Sequence, residues 1–282
     1  MEDILVFAKE HHDSFQILGA SSNEVRSFEY GGKKYVIKTP LMRGDNLSPF
    51  WQMMNNLFDF SFEEQNSHFE KVYDLLKCNP HIPVVPFVAG DEKAIIFEYV
   101  QGDSVEGDDF PVGSDNAYKL GLYVGYNHQR NYDSCGLIGN NKVSDFYSRA
   151  ISYIDNVITK FWNGEDESDR IVRNCFAHLK DRNCKSERYA PIMVDICADQ
   201  FMYNGEDLTF CVDLDAYVIG PVEWELSFLH NQIKDWESFC RGYEKYQPVP
   251  EFGSMEKFFY LLMALSSYDD KAAIYKFWAK YL

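Results

Sequence analysis

Residues 193–215 read MVDICADQFMYNGEDLTFCVDLD, in which Asp195 and Asp213 each follow a short apolar run. The turn residues 204–207, NGED, separate the two runs, an arrangement typical of a β-hairpin. Such a hairpin sets both carboxylates at one mouth. Because unpaired carboxylates are costly to bury among apolar side chains, we expect a cation beside them. The alternative interpretation is an acidic loop that caps two strands.

The N-terminal region supplies a basic group. Residues 15–38 alternate in character and are broken at Gly19 and at Gly31-Gly32, which predicts three strands joined by tight turns. Lys38 ends the third of these strands, where an inward-facing ammonium needs a charged partner. The alternative for this residue alone is a solvated lysine at a strand end.

One helix and two further strands complete the first hundred residues. Residues 61–77 place Phe62, Phe69 and Val72 at helical spacing, and VVPFVAG and KAIIFEYV then predict two strands separated by a turn. The resulting order is β-β-β-α-β-β. It indicates a small antiparallel sheet with one helix against it.

The pattern changes after this sheet. From residue 115 the chain is mainly helical, with apolar stripes that recur every 3.6 residues, apart from short strand-like segments within 192–218. We therefore predict an α+β fold of two lobes. The N-lobe spans 1–101, and the C-lobe, whose helices at 145–180 and C-terminal tail would form an acceptor pocket, spans 102–282.

Composition narrows the possible partners. The 282 residues include 27 basic and 44 acidic side chains, a formal net charge of −17, which disfavours nucleic acid and anionic membranes and favours cationic ligands. Seven cysteines form no CxxC pair, which indicates free thiols in a reducing compartment, and no apolar stretch of about 18 residues occurs. We expect a cytoplasmic protein without a membrane span.

The spacing of the acidic residues resembles a known family. Small-molecule kinases of the aminoglycoside-phosphotransferase and choline-kinase type carry H-G-D-x-x-x-x-N, a short hairpin, an apolar-D-x-E/D segment, and an acidic residue before Leu and a small residue. The chain is similar over residues 15–230, with Asp195, Asp213 and Glu225 in that order. The resemblance implies a two-lobed protein-kinase-like fold that binds ATP and Mg²⁺. It implies that Asp195 acts on the acceptor hydroxyl and that Asp213 and Gln200 hold the metal.

The same resemblance assigns the nucleotide to the N-lobe. It implies that Lys38 contacts the phosphates and pairs with a helix glutamate. Glu63, Glu64 and Glu70 all lie on the predicted helix, and the flanking sequence FEKVYDLL favours Glu70. Backbone N–H groups of the first turn would cradle the phosphates. The residues expected there are Gly19, Ser21, Ser22 and Asn23.

The string IIFEYVQG at 95–102 resembles the hinge between the lobes of this family. The resemblance implies that Phe97 packs behind adenine. It also implies that backbone atoms of Glu98 and Val100 form hydrogen bonds with the adenine edge.

The chain departs from the family pattern at two positions. Met193 replaces the histidine that precedes the catalytic aspartate, and Gln200 replaces the metal-binding asparagine. Glutamine keeps the amide oxygen but moves it by one methylene, although Mg²⁺ demands near-ideal octahedral geometry, and Asp199 offers a substitute ligand. Two main hypotheses follow: an ATP-dependent kinase, or a pseudokinase that binds a nucleotide or partner without transfer. A third, an acidic binding protein unrelated to kinases, requires the spacings to be coincidental.

The acceptor class stays open at this point. The resemblance implies a small-molecule hydroxyl acceptor, because relatives act on aminoglycosides, choline, homoserine, sugars and fructosamines. The acidic balance favours an amino-bearing or cationic acceptor.

Overall fold

The computed structural model of the protein describes most of the chain. The described residues are 3–42, 46–105, 110, 114–162, 164, 166–180, 186, 188–205 and 207–267. The last part of the predicted C-terminal tail, residues 268–282, lies outside them.

A five-stranded antiparallel sheet forms the N-lobe. Its strands are β1 (Gln16–Ala20), β2 (Asn23–Tyr30), β3 (Lys33–Pro40), β4 (Phe87–Gly90) and β5 (Ile95–Glu98), in the spatial order β1-β2-β3-β5-β4. These are the strands that the sequence predicts. Alternation along β3 sends Ile37 to one face and Val36 and Lys38 to the other.

Two helices cover the two faces of this sheet. Helix α1 (Ile4–Glu10), which the sequence analysis did not predict, packs with Phe28 and Ile37 in a small cluster on the outer face. Helix α3 (Gln65–Leu76) covers the inner face, where Phe69 stacks edge-on against Phe97 with ring centroids 4.9 Å apart. The predicted helix over 61–77 is therefore present, and it is preceded by a short 3₁₀ turn.

Helix α2 (Pro49–Phe58) was also not predicted, and it connects the two lobes. Ser48 caps its N-terminus and Pro49 occupies the first turn, where proline is tolerated. At its other end, the Phe58 ring lies 5.5 Å from the Phe146 ring and 5.9 Å from the Trp224 ring. Helix α2 thus extends from the N-lobe onto the C-lobe core.

The C-lobe combines helices with short strands. Its helices are α4 (Ser114–His128), α5 (Phe146–Phe161), α6 (Glu167–Lys180), α7 (Val222–Gln232), α8 (Trp236–Tyr243) and α9 (Ser254–Ala264). Its strands are β6 (Asp103–Ser104), β7 (Cys135–Leu137), β8 (Asn140–Val143), β9 (Tyr189–Met193), β10 (Phe201–Asn204), β11 (Asp207–Cys211) and β12 (Tyr217–Pro221). Helices α4 and α8 cross closely. Glycine at position 121 permits this approach, since a Cβ there would lie 2.1 Å from the Phe239 carbonyl oxygen.

The chain therefore has an α+β, two-lobed, kinase-like fold, as the sequence predicts. The hairpin β10–β11 is the one expected within 192–218. Backbone hydrogen bonds join it to the segment before β4, from Val85 N–H to the Cys211 oxygen (2.9 Å) and from Cys211 N–H to the Pro83 oxygen (3.0 Å). No helix in the described ranges is long and apolar enough to cross a membrane.

Candidate active site

Lys38 reaches from the N-lobe sheet to the segment that follows β11. Its Nζ lies 2.6 Å from Oδ2 of Asp215 and 3.0 Å from Oδ1 of Asp213. Burial opposes the ammonium form, but the two carboxylates outweigh it and raise the pKa of Lys38. The predicted anionic partner thus exists, and the lysine is not a solvated strand end.

Asp195 follows strand β9 and faces the same space. Backbone contacts fix the loop, because Val194 N–H donates to the Ala216 oxygen at 3.2 Å and Met193 N–H donates to Oε1 of Glu225 at 2.7 Å. Burial raises the pKa of Asp195 to about 8, and the negative charge of Asp213 adds to the rise. A carboxyl group with such a pKa is suited to proton transfer near neutral pH.

A cavity of about 250 Å³ unites these groups in the cleft between the lobes. It is lined by Ser21, Ser22, Asn23, Val25, Lys38, Ser48, Phe50, Trp51, Asp195, Gln200, Asp213 and Asp215. The structure therefore brings together most of the phosphate-turn, lysine, catalytic-loop and metal-ligand candidates. Gly19 is not among the lining residues; it lies on the exposed strand β1.

The first turn is held by helix α2. The Trp51 indole N–H donates to Oγ of Ser22 at 2.8 Å, and Leu41 N–H donates to the Ser22 backbone oxygen at 3.0 Å. The Trp51 ring in turn stacks on Phe60, with ring centroids 5.2 Å apart. Sequence analysis missed Trp51, although the Ser-Pro start of α2 and its apolar residues are visible in the sequence.

The prediction that Glu70 pairs with Lys38 is wrong. Glu70 is exposed, and Lys38 pairs with Asp213 and Asp215 instead. Glu64 is exposed as well, and the side chain of Glu63 lies outside the described part of the chain. The apolar residues of α3 determine this outcome, because the burial of Phe69 turns its neighbour Glu70 toward solvent.

Helix α3 presents Gln65 to the site. Gln65 Nε2 donates to Oδ1 of Asn23 at 3.1 Å, and Asn23 Nδ2 donates to Oδ2 of Asp215 at 2.8 Å. All three side chains are buried. Gln65 was not predicted, but it shares the buried stripe of Phe69 and Val72 at positions i, i+4 and i+7, which could have revealed it.

The three hinge candidates differ in burial and lie outside the lining of the cavity. Phe97 is buried in the main core, Glu98 is exposed and Val100 is half-buried. The N–H of Glu98 donates to the Pro86 oxygen at 3.0 Å, so this donor is already engaged. None of the three lines the cavity around Lys38, and their contacts with adenine stay predictions.

The two departures from the family pattern occupy different surroundings. Met193 is buried in the core, where its backbone is anchored by Glu225. Nε2 of His128, on α4, lies 2.8 Å from the other Glu225 oxygen. Gln200 lines the cavity, and its Nε2 lies 3.7 Å from Sγ of Cys197. The methionine side chain thus lies in the core, away from the cavity lining, whereas the glutamine is part of that lining.

The residues present suit Mg²⁺. No group of three or more His, Cys, Asp or Glu side chains within the described ranges forms a metal cage. Mg²⁺ does not require one, because it is usually held by one or two carboxylates together with substrate phosphates and water. Asp213 is 37% exposed and its Oδ1 accepts from Lys38 and from Asp215 N–H, while Oδ2 accepts no hydrogen bond from the described residues. A free carboxylate oxygen beside further acidic groups fits a hard cation.

Comparison with known proteins shows which folds this architecture resembles. No protein-family model and no curated protein matches the sequence. Solved structures match nearly the whole chain, and they show that the fold is that of the aminoglycoside-phosphotransferase type of small-molecule kinase.

Three such structures illustrate the similarity. A putative aminoglycoside phosphotransferase from Ralstonia eutropha has a TM-score of 0.66 at 13% identity, with 94% of this chain and 88% of that chain covered. Macrolide 2'-phosphotransferase MphH from Brachybacterium faecium has a TM-score of 0.62 at 14% identity, with 97% of this chain and 95% of that chain covered. The phosphotransferase APH(2'')-IIa, in its streptomycin–ATP complex, has a TM-score of 0.61 at 13% identity, with 99% of this chain and 96% of that chain covered.

Proposed function

We propose that the protein is an ATP- and Mg²⁺-dependent phosphotransferase that phosphorylates a hydroxyl group of a small molecule. The observation that carries this proposal is the convergence of Lys38 from one lobe with Asp195 and Asp213 from the other on one cavity. Phosphoryl transfer needs these parts: a cation for the phosphates, a carboxylate for the metal, and a carboxylate beside the attacking hydroxyl.

Each side chain has a role in this scheme. Lys38 binds phosphate oxygens, and Asp213 together with Gln200 would hold Mg²⁺, which neutralises phosphate charge when bound. Asp195 orients the acceptor hydroxyl and accepts its proton as the oxygen attacks the terminal phosphorus of ATP. The bond from that phosphorus to the bridging oxygen breaks, and ADP leaves. Neutralising the charge of Asp213 removes one of the causes that raise the pKa of Asp195, which favours the ionised base.

The charge of the cavity bears on the acceptor. Its lining contains three acidic side chains, Asp195, Asp213 and Asp215, against the ammonium of Lys38, so a net negative charge remains even with Asp195 protonated. The remaining negative potential attracts an amino group on the acceptor as well as the metal. We therefore propose an amino-bearing acceptor of the aminoglycoside, amino-alcohol or amino-sugar class.

A scaffold without transfer activity is the second candidate. The observation in its favour is the pair of departures at Met193 and Gln200, the latter within the cavity itself. Under this alternative, nucleotide binding remains and turnover does not occur.

A two-stage experiment tests both candidates. Melting temperatures are first measured with ATP and with GTP, each with and without Mg²⁺, because a ligand bound by the folded state raises the melting temperature. Radiolabelled transfer to a panel of aminoglycosides, amino-alcohols and sugars follows. Kinase activity predicts both a nucleotide shift and a labelled product. A nucleotide shift with no product from any acceptor supports the scaffold. No shift at millimolar nucleotide contradicts the kinase and the nucleotide-binding form of the scaffold.

The variant Gln200→Asn sharpens this experiment, since it restores the family residue. If Gln200 contacts the metal, the substitution changes the relative rates with Mg²⁺ and Mn²⁺. An unchanged metal preference would remove Gln200 from the metal site.

A further inference from the structure

The pairing of Lys38 differs from that of the general kinase template. There the strand lysine pairs with a glutamate on the helix of the N-lobe, and the position of that helix controls whether the pair forms. Here both carboxylates on Lys38 come from one short segment, Asp213 and Asp215. The N-lobe helix α3 contributes no carboxylate to the described part of this site.

The contacts of Asp215 are those of a buried structural anion. Its side chain is 7% exposed, and its Oδ2 receives both Lys38 Nζ at 2.6 Å and Asn23 Nδ2 at 2.8 Å. The side chain of Asp213, in contrast, is 37% exposed, and its Oδ1 lies 3.0 Å from Lys38 Nζ. Of the two, Asp213 is therefore the more accessible to a ligand, while Oδ2 of Asp215 is engaged by protein groups.

Hydrogen-bond chemistry fixes the direction of the contacts behind Asp215. An ionised carboxylate only accepts, so Asn23 must turn its NH₂ group toward Asp215 and its oxygen toward Gln65. Gln65 must then donate through Nε2, as observed at 3.1 Å. These three buried side chains connect the phosphate turn, the start of α3 and the acidic segment without adding charge.

We propose that Asp215 is the positioning residue that holds Lys38, a role that a helix glutamate has in the general template, and that Asn23 and Gln65 tie this pair to the phosphate turn and to α3. The roles of the two aspartates then differ. Asp213 can leave Lys38 to bind a metal–nucleotide complex, while Asp215 keeps the ammonium paired and oriented. The lysine is consequently in place in the nucleotide-free protein and does not depend on a charged group of α3.

The part of this inference that concerns nucleotide rests on the proposed function, but the pairing itself is testable without any ligand. Two double-mutant cycles on the unfolding equilibrium measure it. The first combines Lys38→Met with Asp215→Asn. The second combines Lys38→Met with Glu70→Gln and tests the partner that the sequence favoured. We expect the first pair to be coupled by at least about tenfold in the unfolding constant and the second to be additive within about twofold. Coupling to Glu70, or additivity for Asp215, would overturn the proposal.

A second variant guards against a failure of Asp215→Asn to fold. Asn23→Ala removes the amide that holds Asp215 and leaves every charge in place. Its cycle with Lys38→Met is expected to show coupling of at least about threefold. Additivity in that cycle would contradict the connection through Asn23.

Nucleotide affinity provides the functional readout. Titration with Mg·ATP is expected to show a loss of about tenfold or more for Asp215→Asn, partial recovery for Asp215→Glu, and a change within about twofold for Glu70→Gln. Equal losses for Asp215→Glu and Asp215→Asn would assign Asp215 a role other than positioning by charge. If the unmutated protein binds neither ATP nor GTP, the proposed function fails, and the unfolding cycles still decide the pairing.

Discussion

The segment 193–215 and helix α2 line the same cavity with different chemistry, and helix α3 contacts the lining residue Asn23. The first supplies the carboxylates of Asp195, Asp213 and Asp215, whereas the helices supply the indole of Trp51 and, through Asn23, the amide of Gln65. Charge is thus concentrated on the C-lobe side, and the N-lobe opposes it with Lys38. In the proposed kinase, the segment 193–215 would therefore carry out the chemistry, and the helices would fix the elements that surround it.

The largest expected effect concerns the chemical region. In the proposed kinase, Asp195→Asn removes the group that accepts the hydroxyl proton, so turnover is expected to fall by roughly 10²–10⁴-fold. Nucleotide affinity should change little, because Asp195 acts on the acceptor. Transfer assays and calorimetric titration on the same preparation check both values. Equal loss of nucleotide binding in Asp195→Asn and Asp213→Asn would show that the two carboxylates do not divide the roles.

The support beneath the catalytic loop gives the next effect. Glu225→Gln converts the buried acceptor of Met193 N–H from an ionised group to a neutral one. Because a buried hydrogen bond to a charged group contributes about 1.5–3 kcal/mol, we expect a loss of that order in the free energy of unfolding. Urea denaturation measures it. The exposed Glu237 on α8 offers a control, and Glu237→Gln is expected to stay within about 0.5 kcal/mol. Similar losses in the free energy of unfolding for both variants would show that Glu225 does not anchor the loop.

The pH dependence of stability tests the electrostatics of the free protein. The folded-state pKa of Asp195 is raised to about 8 from an ordinary 3.8, so the native state binds this proton more tightly than the unfolded chain does. Stability contributed by the group is full below about pH 4 and is lost as pH rises through 8. Asp195→Asn should therefore raise the melting temperature at pH 8 more than at pH 5, by about 2–4 °C for each 1 kcal/mol recovered. A larger gain at pH 5 would contradict the raised pKa.

A smaller effect is expected where α2 holds the phosphate turn. Trp51→Phe keeps an aromatic ring but deletes the indole N–H that donates to Ser22. A typical hydrogen bond contributes about 1 kcal/mol, so a decrease of that size in stability and a few-fold weaker nucleotide binding are expected. Ser22→Ala should produce the same decrease, and the double variant should add nothing further. Additive losses would show that the two side chains act separately.

These two regions also differ in how far the sequence predicts them. Asp195, Asp213 and Lys38 each lie in or directly after a strand-like run of the sequence, so the local pattern identifies all three as candidates. The partner of Lys38 depends on the phase of α3, which is set by the packing of Phe69 against Phe97 and not by any local motif. The glutamates at 63, 64 and 70 offer three possible partners for Lys38, so the charge pattern does not choose among them. Gln65 is neutral, and its only signal in the sequence is its place on the buried stripe.

The two helices missed by sequence analysis show a related limit. Helix α1 packs its apolar side on β-strands, and its 7 residues are too few for a clear helical period. Helix α2 carries the Ser-Pro start typical of a helix, yet its bridging position becomes apparent only when Phe58 meets Phe146 and Trp224. The positions of both helices are therefore determined by long-range packing, which the local sequence pattern does not show.

Calorimetric titration of ATP in the presence and absence of Mg²⁺, on the unmutated protein and on Asp213→Asn, measures whether Asp213 holds the metal of a bound nucleotide. We expect ATP to bind the unmutated protein more tightly with Mg²⁺, and Asp213→Asn to lose this difference while keeping the metal-independent part of the affinity. ATP binding that is equally strong with and without Mg²⁺ in both proteins, or no binding at all, would contradict this expectation.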